Sequence, residues 1–207
     1  MNFRISSFCN GGRIPGIYCL GAPGEDGPFQ FAANRNPHLE WDDAPKGTKS
    51  FAILCVDPYV PSVGDSVNQE GKTVPKDLPR VDFYHWVLVD IPKYIKRIEE
   101  GEASTGITAH GKEFGKKPYG VAGINNYTDW FAGDKEMAGD YGDYDGPCPP
   151  WNDELIHQYH FKLFALDVES LKLSGSFRGE DVVEAIKGHV LAEAEWVGNY
   201  TMNKALL

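Results

Sequence analysis

Between Phe51 and Pro61 the chain reads Phe-Ala-Ile-Leu-Cys-Val-Asp-Pro-Tyr-Val-Pro. A short apolar run that ends in turn signals predicts a buried strand. The residue before a proline is driven towards extended geometry, so Asp57 belongs to that strand. Pro58 and Pro61 then stiffen a turn and stop it. A carboxylate pinned at the end of a buried strand is costly unless something pairs with it. The remaining sequence must supply that partner.

Two further strands are as strong. Residues 81–91 form a mostly apolar run stopped by Pro92. Period-two alternation puts Phe83, His85, Val87 and Val89 on one face, and Tyr84, Trp86 and Leu88 on the other. Both faces are apolar, so His85 is expected to be buried or at a pocket floor. In residues 158–167, alternation extended back to His157 puts His157, Tyr159, Phe161 and Leu163 together. Residues 189–200 have helix-like composition, yet Glu193 and Glu195 alternate with Ala192, Ala194 and Trp196, which predicts a strand with one wet face.

Weaker signals fill the rest. Residues 178–187 predict a helix, with acids in the first turn, a Val182, Val183 and Ile186 stripe, and Gly188 as its stop. Residues 93–101 read as one helical turn. Residues 4–8 and 29–31 read as edge strands, and a short strand ends at Trp41. Residues 62–82 and 121–155 read as long irregular loops, which are usually functional or mobile. Within the second, residues 140–145 read as a solvated loop or partner surface. With 23 glycines and 14 prolines in 207 residues, the chain predicts a β-rich fold in one domain, residues 1–207.

The formal net charge of −10 argues against nucleic acid and against a polybasic membrane anchor. It leaves room for a local anion site built from backbone amides and a few side chains. No stretch approaches a membrane span, and residues 1–7 hold no apolar core of signal-peptide length. Cys9, Cys19, Cys55 and Cys148 show no C-x-x-C pairing, so reduced thiols in a cytoplasmic protein are expected. A Cys9–Cys19 disulfide is the alternative.

Three central strands thus bring polar groups near their ends: Asp57, His85, and the pair His157 and Tyr159. Proline-stiffened loops at 57–61 and 146–150 lie beside them in sequence. Such a cleft offers His and Tyr donors and one acid that can hold a histidine tautomer. The spacing gives no compact metal motif, and no metal or cofactor is expected. Blander readings stand beside these. Asp57 caps its own turn, and His85 is a satisfied core histidine. His110 is exposed, His160 superficial, and His189 a cap or packing residue. Cys148 is either a reactive thiol or a buried inert one.

Several motifs in order carry a resemblance: Asp57-Pro58-x-x-Pro61, His85-Trp86 ending in Ile91-Pro92, Gly146-Pro-Cys-Pro-Pro150, His157-x-Tyr159, and Gly188-His189-Val-Leu-Ala. Asn36-Pro-His-Leu-x-Trp41 and Lys46-Gly-Thr-Lys-Ser50 fit as well. Together, over residues 25–200, they resemble the phosphatidylethanolamine-binding protein family, in its prokaryotic Raf-kinase-inhibitor-like branch. The resemblance implies a mostly β fold, a β-sandwich of antiparallel and mixed strands with a few peripheral helices. It implies one small anion pocket for phosphate-like groups, including lipid headgroups, lined by Asp57, Pro61, His85, Gly146, Pro147, His157 and Tyr159. It implies a non-enzymatic binding protein that modulates a kinase or protease partner, often as a homodimer.

The chain departs from the pattern in three places. Tyr59 stands where a second acid is usual, Gln158 where an arginine is usual, and the 62–82 insertion is long enough to roof the pocket. Two other functions stay open. One is hydrolysis of small esters or phosphoesters by Asp57, His85 and His157, although no G-x-S-x-G elbow is present. The other is an interaction protein with a vestigial pocket and the long loops as contact surfaces.

Overall fold

In a computed structural model describing residues 1–207, the opening stretch is a strand at the centre of the larger sheet. In chain order the strands are β1 (Asn2–Ile5), β2 (Gly12–Arg13), β3 (Gly21–Ala22), β4 (Gln30–Phe31), β5 (Leu39–Asp42) and β6 (Ser50–Pro61). Then come β7 (Arg80–Pro92), β8 (Arg97–Ile98), β9 (Gly115–Lys117), β10 (Gly120–Ala122), β11 (His157–Leu166) and β12 (Val190–Tyr200). Two short helices, α1 (Tyr127–Trp130) and α2 (Gly179–Ala185), complete the set. A seven-stranded sheet runs β2-β12-β11-β6-β7-β10-β9, with β6 fourth. Its pairings are antiparallel except β12 with β2, which is parallel. A smaller antiparallel sheet runs β1-β5-β8.

The two sheets sandwich the main core. Phe51, Ile53, Cys55, Trp86, Leu88, Phe161 and Leu163 of the large sheet meet Ile5, Leu39, Trp41 and Ile98 of the small one. The other face of the large sheet presents Ala52, Leu54, Val56, Val87 and Val89, which Val182 of α2 and Ile186, just past its C-terminal end, cover. Burial on both faces explains why residues 51–56 lack alternation, since each face needs apolar side chains. Each large side chain so buried contributes roughly 1.5–3 kcal/mol against an exposed state.

Three irregularities in the β6–β7 pairing shape the site. Cys55 pairs with Trp86 and Val56 with Tyr84, so His85 is an extra residue in a bulge. The bulge breaks the predicted alternation of β7: Tyr84 packs with Val87 and Val89 on the α2 side, while Trp86 and Leu88 join the main core. A second bulge follows Asp57. Asp57 pairs with Phe83 and Val60 with Val81, so Pro58 and Tyr59 face one residue, Asp82. The strand therefore does not stop at the prolines. It continues to Pro61, with Pro58 at a bulge, where no ladder N–H is needed. A third bulge includes Asp90, which has a positive φ of 53°.

Several peripheral expectations change. Residues 93–101 make a turn and the short β8 rather than a helical turn, because Ile98 fills the core beside Leu39. Val183 is 41% exposed, so the buried stripe is Val182 of α2 and Ile186 at its C-terminal cap. Gly188 ends that region at φ 80°, as a helix stop requires. Glu193 and Glu195 lie exposed along β12. Residues 121–155 hold β10 and α1, and their acidic-tyrosine stretch is mostly buried: Tyr141, Asp143, Tyr144 and Asp145 are all inside.

That last burial has a polar logic. The Asp143 carboxylate accepts hydrogen bonds from Trp86 Nε1 (3.0 Å) and the Tyr119 hydroxyl (2.7 Å). Asp145 accepts from Asn34 Nδ2 (2.7 Å), Asn125 Nδ2 (2.9 Å) and Lys112 Nζ (2.5 Å). Irregular backbone can be buried here because side chains satisfy what a ladder would otherwise satisfy.

Candidate functional site

Adjacent strands bring Asp57, His85 and Tyr159 to one end of the large sheet. They line a cavity of about 340 Å³ together with Pro61, Phe83, Tyr127, Trp130 and the loop residues Ser62, Val63 and Asn68. Of the seven residues the resemblance implies, the cavity takes Asp57, Pro61, His85 and Tyr159. The other three lie outside its lining, each for a visible reason. His157 is wholly buried beside Asp57. Gly146 is packed so closely that a Cβ would collide with the Tyr18 carbonyl oxygen. Its N–H donates to Asn34 Oδ1, and its carbonyl accepts from the Tyr127 hydroxyl, both at 2.8 Å. The Pro147 carbonyl accepts from the Leu20 and Gly21 amides. Gly146 and Pro147 therefore anchor the segment whose next residues, Cys148, Pro149 and Pro150, reach the cavity wall.

The partner of Asp57 is His157, whose Nδ1 donates to Asp57 Oδ2 at 2.6 Å. The other ring nitrogen, Nε2, donates to Asp153 Oδ2 at 3.1 Å. Asp153 in turn accepts two bonds from Arg80, at 2.5 and 3.0 Å. The result is a buried chain of alternating charge, Arg80, Asp153, His157 and Asp57. Burial opposes a charge on His157, but Asp57 and Asp153 outweigh it and raise its pKa to about 9. Burial likewise works against an ionised Asp153, and the His157 and Arg80 hydrogen bonds win and lower its pKa. Asp57 also accepts the Tyr59 amide at 2.8 Å, so the turn-capping reading and the pairing reading both hold.

His85 is the opposite case. Its Nδ1 lies 2.8 Å from the Asp145 carbonyl oxygen. A carbonyl only accepts, so Nδ1 carries the proton. Burial lowers the pKa of His85 against the pull of Asp57 and of that carbonyl, so the ring is neutral and Nε2 is a bare acceptor. The ring packs edge-on against Tyr159 and Tyr127, at centroid distances of 5.1 and 5.4 Å. Tyr159 brings a buried hydroxyl with no hydrogen-bond partner. Burial pushes its pKa far up, so that hydroxyl is a donor waiting for an acceptor.

The departures at 59 and 158 meet each other. The Tyr59 hydroxyl donates to Gln158 Oε1 at 3.2 Å, and Tyr59 is absent from the cavity lining. An acid and an arginine at these positions would face each other as an ion pair; here a neutral pair takes that place. The change sits in the support behind Asp57, not in the cavity itself.

The 62–79 loop forms one wall. Asn152 holds it: its Nδ2 donates to the Ser66 and Lys72 carbonyls (2.8 and 3.0 Å), and its Oδ1 accepts the Asn68 amide (3.0 Å). Arg80 adds bonds to the Tyr59 and Pro75 carbonyls, both at 2.8 Å. Arg80, Asp153 and Asn152 were not legible as site residues, because each is a lone polar residue in an irregular stretch. The Cys148 thiol lines the cavity, but burial pushes it up to about 12, which makes it unreactive. The remaining histidines lie elsewhere: His38 pairs with Glu99, His160 with Glu195, His189 with Asp167, and exposed His110 contacts the Ala138 carbonyl. No helix is long and apolar enough to cross a membrane.

Known proteins are similar to this chain along nearly its whole length. A UPF0098 protein of Methanothermobacter thermautotrophicus is 34% identical over 200 residues, covering 97% of this chain and 98% of that one. UPF0098 protein YbhB of Escherichia coli is 30% identical, covering 89% and 90%. Escherichia coli YbcL, a solved member of the mammalian PEBP family, shares the fold with a TM-score of 0.66 at 23% identity, covering 97% of each chain. A homologue from Chlamydia trachomatis superposes with a TM-score of 0.62 at 24% identity, covering 96% and 95%. The family model for phosphatidylethanolamine-binding protein matches residues 4–201, and with the sandwich and its ordered motifs in place the chain belongs to that family.

Proposed function

We propose that this chain is a binding protein without catalytic turnover, and that its cavity takes a small ligand by a phosphoryl headgroup. The observation that carries this reading is the Tyr159 hydroxyl, buried and unpartnered on the cavity wall beside His85 and Asp57. A buried donor left unpaired costs about 1–3 kcal/mol, which a ligand oxygen would recover. Ser62 and Asn68 supply further donors from the loop side. Val63, Val81 and Trp130, each about half exposed at 51%, 47% and 51%, offer an apolar rim for the rest of the ligand. The open volume favours this reading over a vestigial pocket. Hydrolysis by Asp57, His85 and His157 is less well supported, because both ring nitrogens of His157 are committed to carboxylates and His157 lies outside the cavity lining.

The test is thermal denaturation with phosphate and with phosphorylated headgroups between about pH 5.5 and 7.5, where histidine charge changes. A rise in melting temperature that is lost in Tyr159→Phe and His85→Ala supports the reading. No shift with any of these ligands contradicts it. Turnover of an ester or phosphoester panel, lost in His85→Ala, would instead favour a hydrolase.

A further inference from the structure

The cavity lining holds no lysine or arginine, so its side chains offer a phosphoryl oxygen mainly neutral donors. Two side-chain amides line it, Asn68 and Asn126. Asn126 is committed at both ends: its Oδ1 accepts from the Tyr84 amide at 2.7 Å, and its Nδ2 faces Asp129 Oδ2 at 3.4 Å. Asn68 is committed at one end only. Its Oδ1 accepts from the Trp151 amide at 3.0 Å. A backbone N–H only donates, so the oxygen of the Asn68 amide is fixed there and Nδ2 is the free end.

What holds Asn68 in place is Asn152. Asn68 sits in a turn at a φ of 55°, a left-handed conformation that asparagine tolerates better than most residues. The Asn152 side chain, on a residue only 6% exposed, bonds that turn from within. Its Oδ1 takes the Asn68 amide, and its Nδ2 serves the Ser66 and Lys72 carbonyls and, at 3.3 Å, the Gln69 carbonyl. With the Trp151 amide on Asn68, this is a reciprocal clasp between residues 66–72 and 151–152. The next part of the loop has its own anchors: the Val74 amide donates to the Asn152 carbonyl and the Lys76 amide to Glu154 Oε2, both at 3.0 Å. The Asn152 side chain therefore governs residues 66–72, the part of the loop that carries Asn68, and leaves the Arg80–Asp153–His157–Asp57 chain alone.

We propose that Asn152 is a positioning residue for the cavity: acting through Asn68, it presets the insertion loop so that the Asn68 amide meets the ligand with no ordering cost at the moment of binding. Ordering a loop on binding subtracts from affinity, and a clasp closed beforehand removes that loss. By linkage, a ligand on Asn68 holds the clasp shut in return. A neutral N–H serves a phosphomonoester or a phosphodiester alike, since each keeps an accepting oxygen. The inference deepens the phosphoryl-headgroup reading and rests on it.

The probes are inorganic phosphate and the diester glycerophosphoethanolamine, titrated calorimetrically into the intact protein. Asn152→Ala is expected to bind each about tenfold more weakly, the scale of one hydrogen bond to a charged group. Tryptic cleavage at the exposed Lys72 and Lys76 is expected to quicken in that variant and to slow again at saturating ligand. Asn68→Asp keeps an oxygen for the Trp151 amide but replaces the free N–H with an acceptor. It is expected to lose about tenfold in affinity while its cleavage rate stays near native. Gln69→Glu adds the same charge one residue away, outside the cavity lining, and is expected to stay within about twofold of native affinity. Combining Asn152→Ala with Asn68→Asp is expected to add little to either single loss, because one residue acts through the other. Native affinity in Asn152→Ala despite faster cleavage, Asn68→Asp binding no more weakly than Gln69→Glu, or additive losses in the double variant would each overturn the positioning role while leaving the phosphoryl reading standing. Failure of both probes to bind the native protein overturns both.

Discussion

His85 and His157 lie on strands that flank β6, yet one is neutral and the other charged. Both are almost fully buried, at 2% and 0% exposure, so burial alone does not decide their state. Partners decide it. His157 has a carboxylate on each ring nitrogen, and that pair outweighs desolvation. His85 has a carbonyl on one nitrogen and the cavity on the other. One histidine holds the structure together and the other is left at the cavity wall. Asp57 stands between the two roles, buried and paired to His157 while lining the cavity.

The comparison breaks most readily by removing each ring. His157→Ala leaves Asp57 and Asp153 buried without their shared cation, and is expected to cost about 3–5 kcal/mol in denaturant unfolding. His85→Ala loses one hydrogen bond and some packing, and is expected to cost only roughly 1–2 kcal/mol. Similar losses for the two variants would mean that the charge chain carries no special weight.

The next effect is in pH. The folded pKa of His157, about 9, lies above its unfolded value near 6.5, so its stabilisation is complete below about 6.5 and is lost as pH rises through 9. The loss is on the order of 3 kcal/mol. His85 has the opposite sign: its folded pKa is depressed, so it contributes instability as pH falls below its unfolded pKa of about 6.5. Chemical denaturation across pH 5–10 is expected to give stability falling above about 6.5, with the slope absent in His157→Gln.

Smaller effects sharpen the neutral pair behind Asp57. Tyr59→Asp alone introduces an acid opposite Gln158, with an expected cost of about 1 kcal/mol. Adding Gln158→Arg is expected to recover most of it, giving a double-mutant coupling of about 0.5–3 kcal/mol. Additive losses would show that the two positions do not act as a pair. Smallest of all is Tyr159→Phe. Its hydroxyl has no partner, so stability is expected to stay within about 0.5 kcal/mol while the phosphate-induced melting shift disappears.

The central strands β6, β7 and β11 were legible because they are dense apolar runs whose identity does not depend on distant residues, while the sandwich arrangement came only from the family resemblance. The motifs around Asp57, His85 and Tyr159 were legible for the same reason: they sit at the ends of those runs. What failed were inferences from regular alternation and from sequence adjacency. The bulge at His85 shifts the alternation of β7, and no periodicity count shows an inserted residue. His157 shares a strand with Tyr159, and adjacency placed both in the pocket; the Arg80–Asp153 clamp draws His157 into the charge chain instead. Arg80 and Asp153 are 73 residues apart, a pairing that only the fold reveals. The burial of Asp143 and Asp145 was hidden likewise, because their donors come from residues 34, 86, 112, 119 and 125.

The two histidines hold opposite protonation states on either side of Asp57. Nitrogen-detected NMR titration of the imidazole rings tests it most directly, with assignments from His85→Ala and His157→Gln. His157 is expected to keep both ring protons until pH approaches about 9. His85 is expected to be a neutral Nδ1–H tautomer at pH 7, with phosphate perturbing its Nε2 while leaving His157 unchanged. A His157 that loses its proton near 6.5, or a His85 protonated on both nitrogens at pH 7 without ligand, would contradict it.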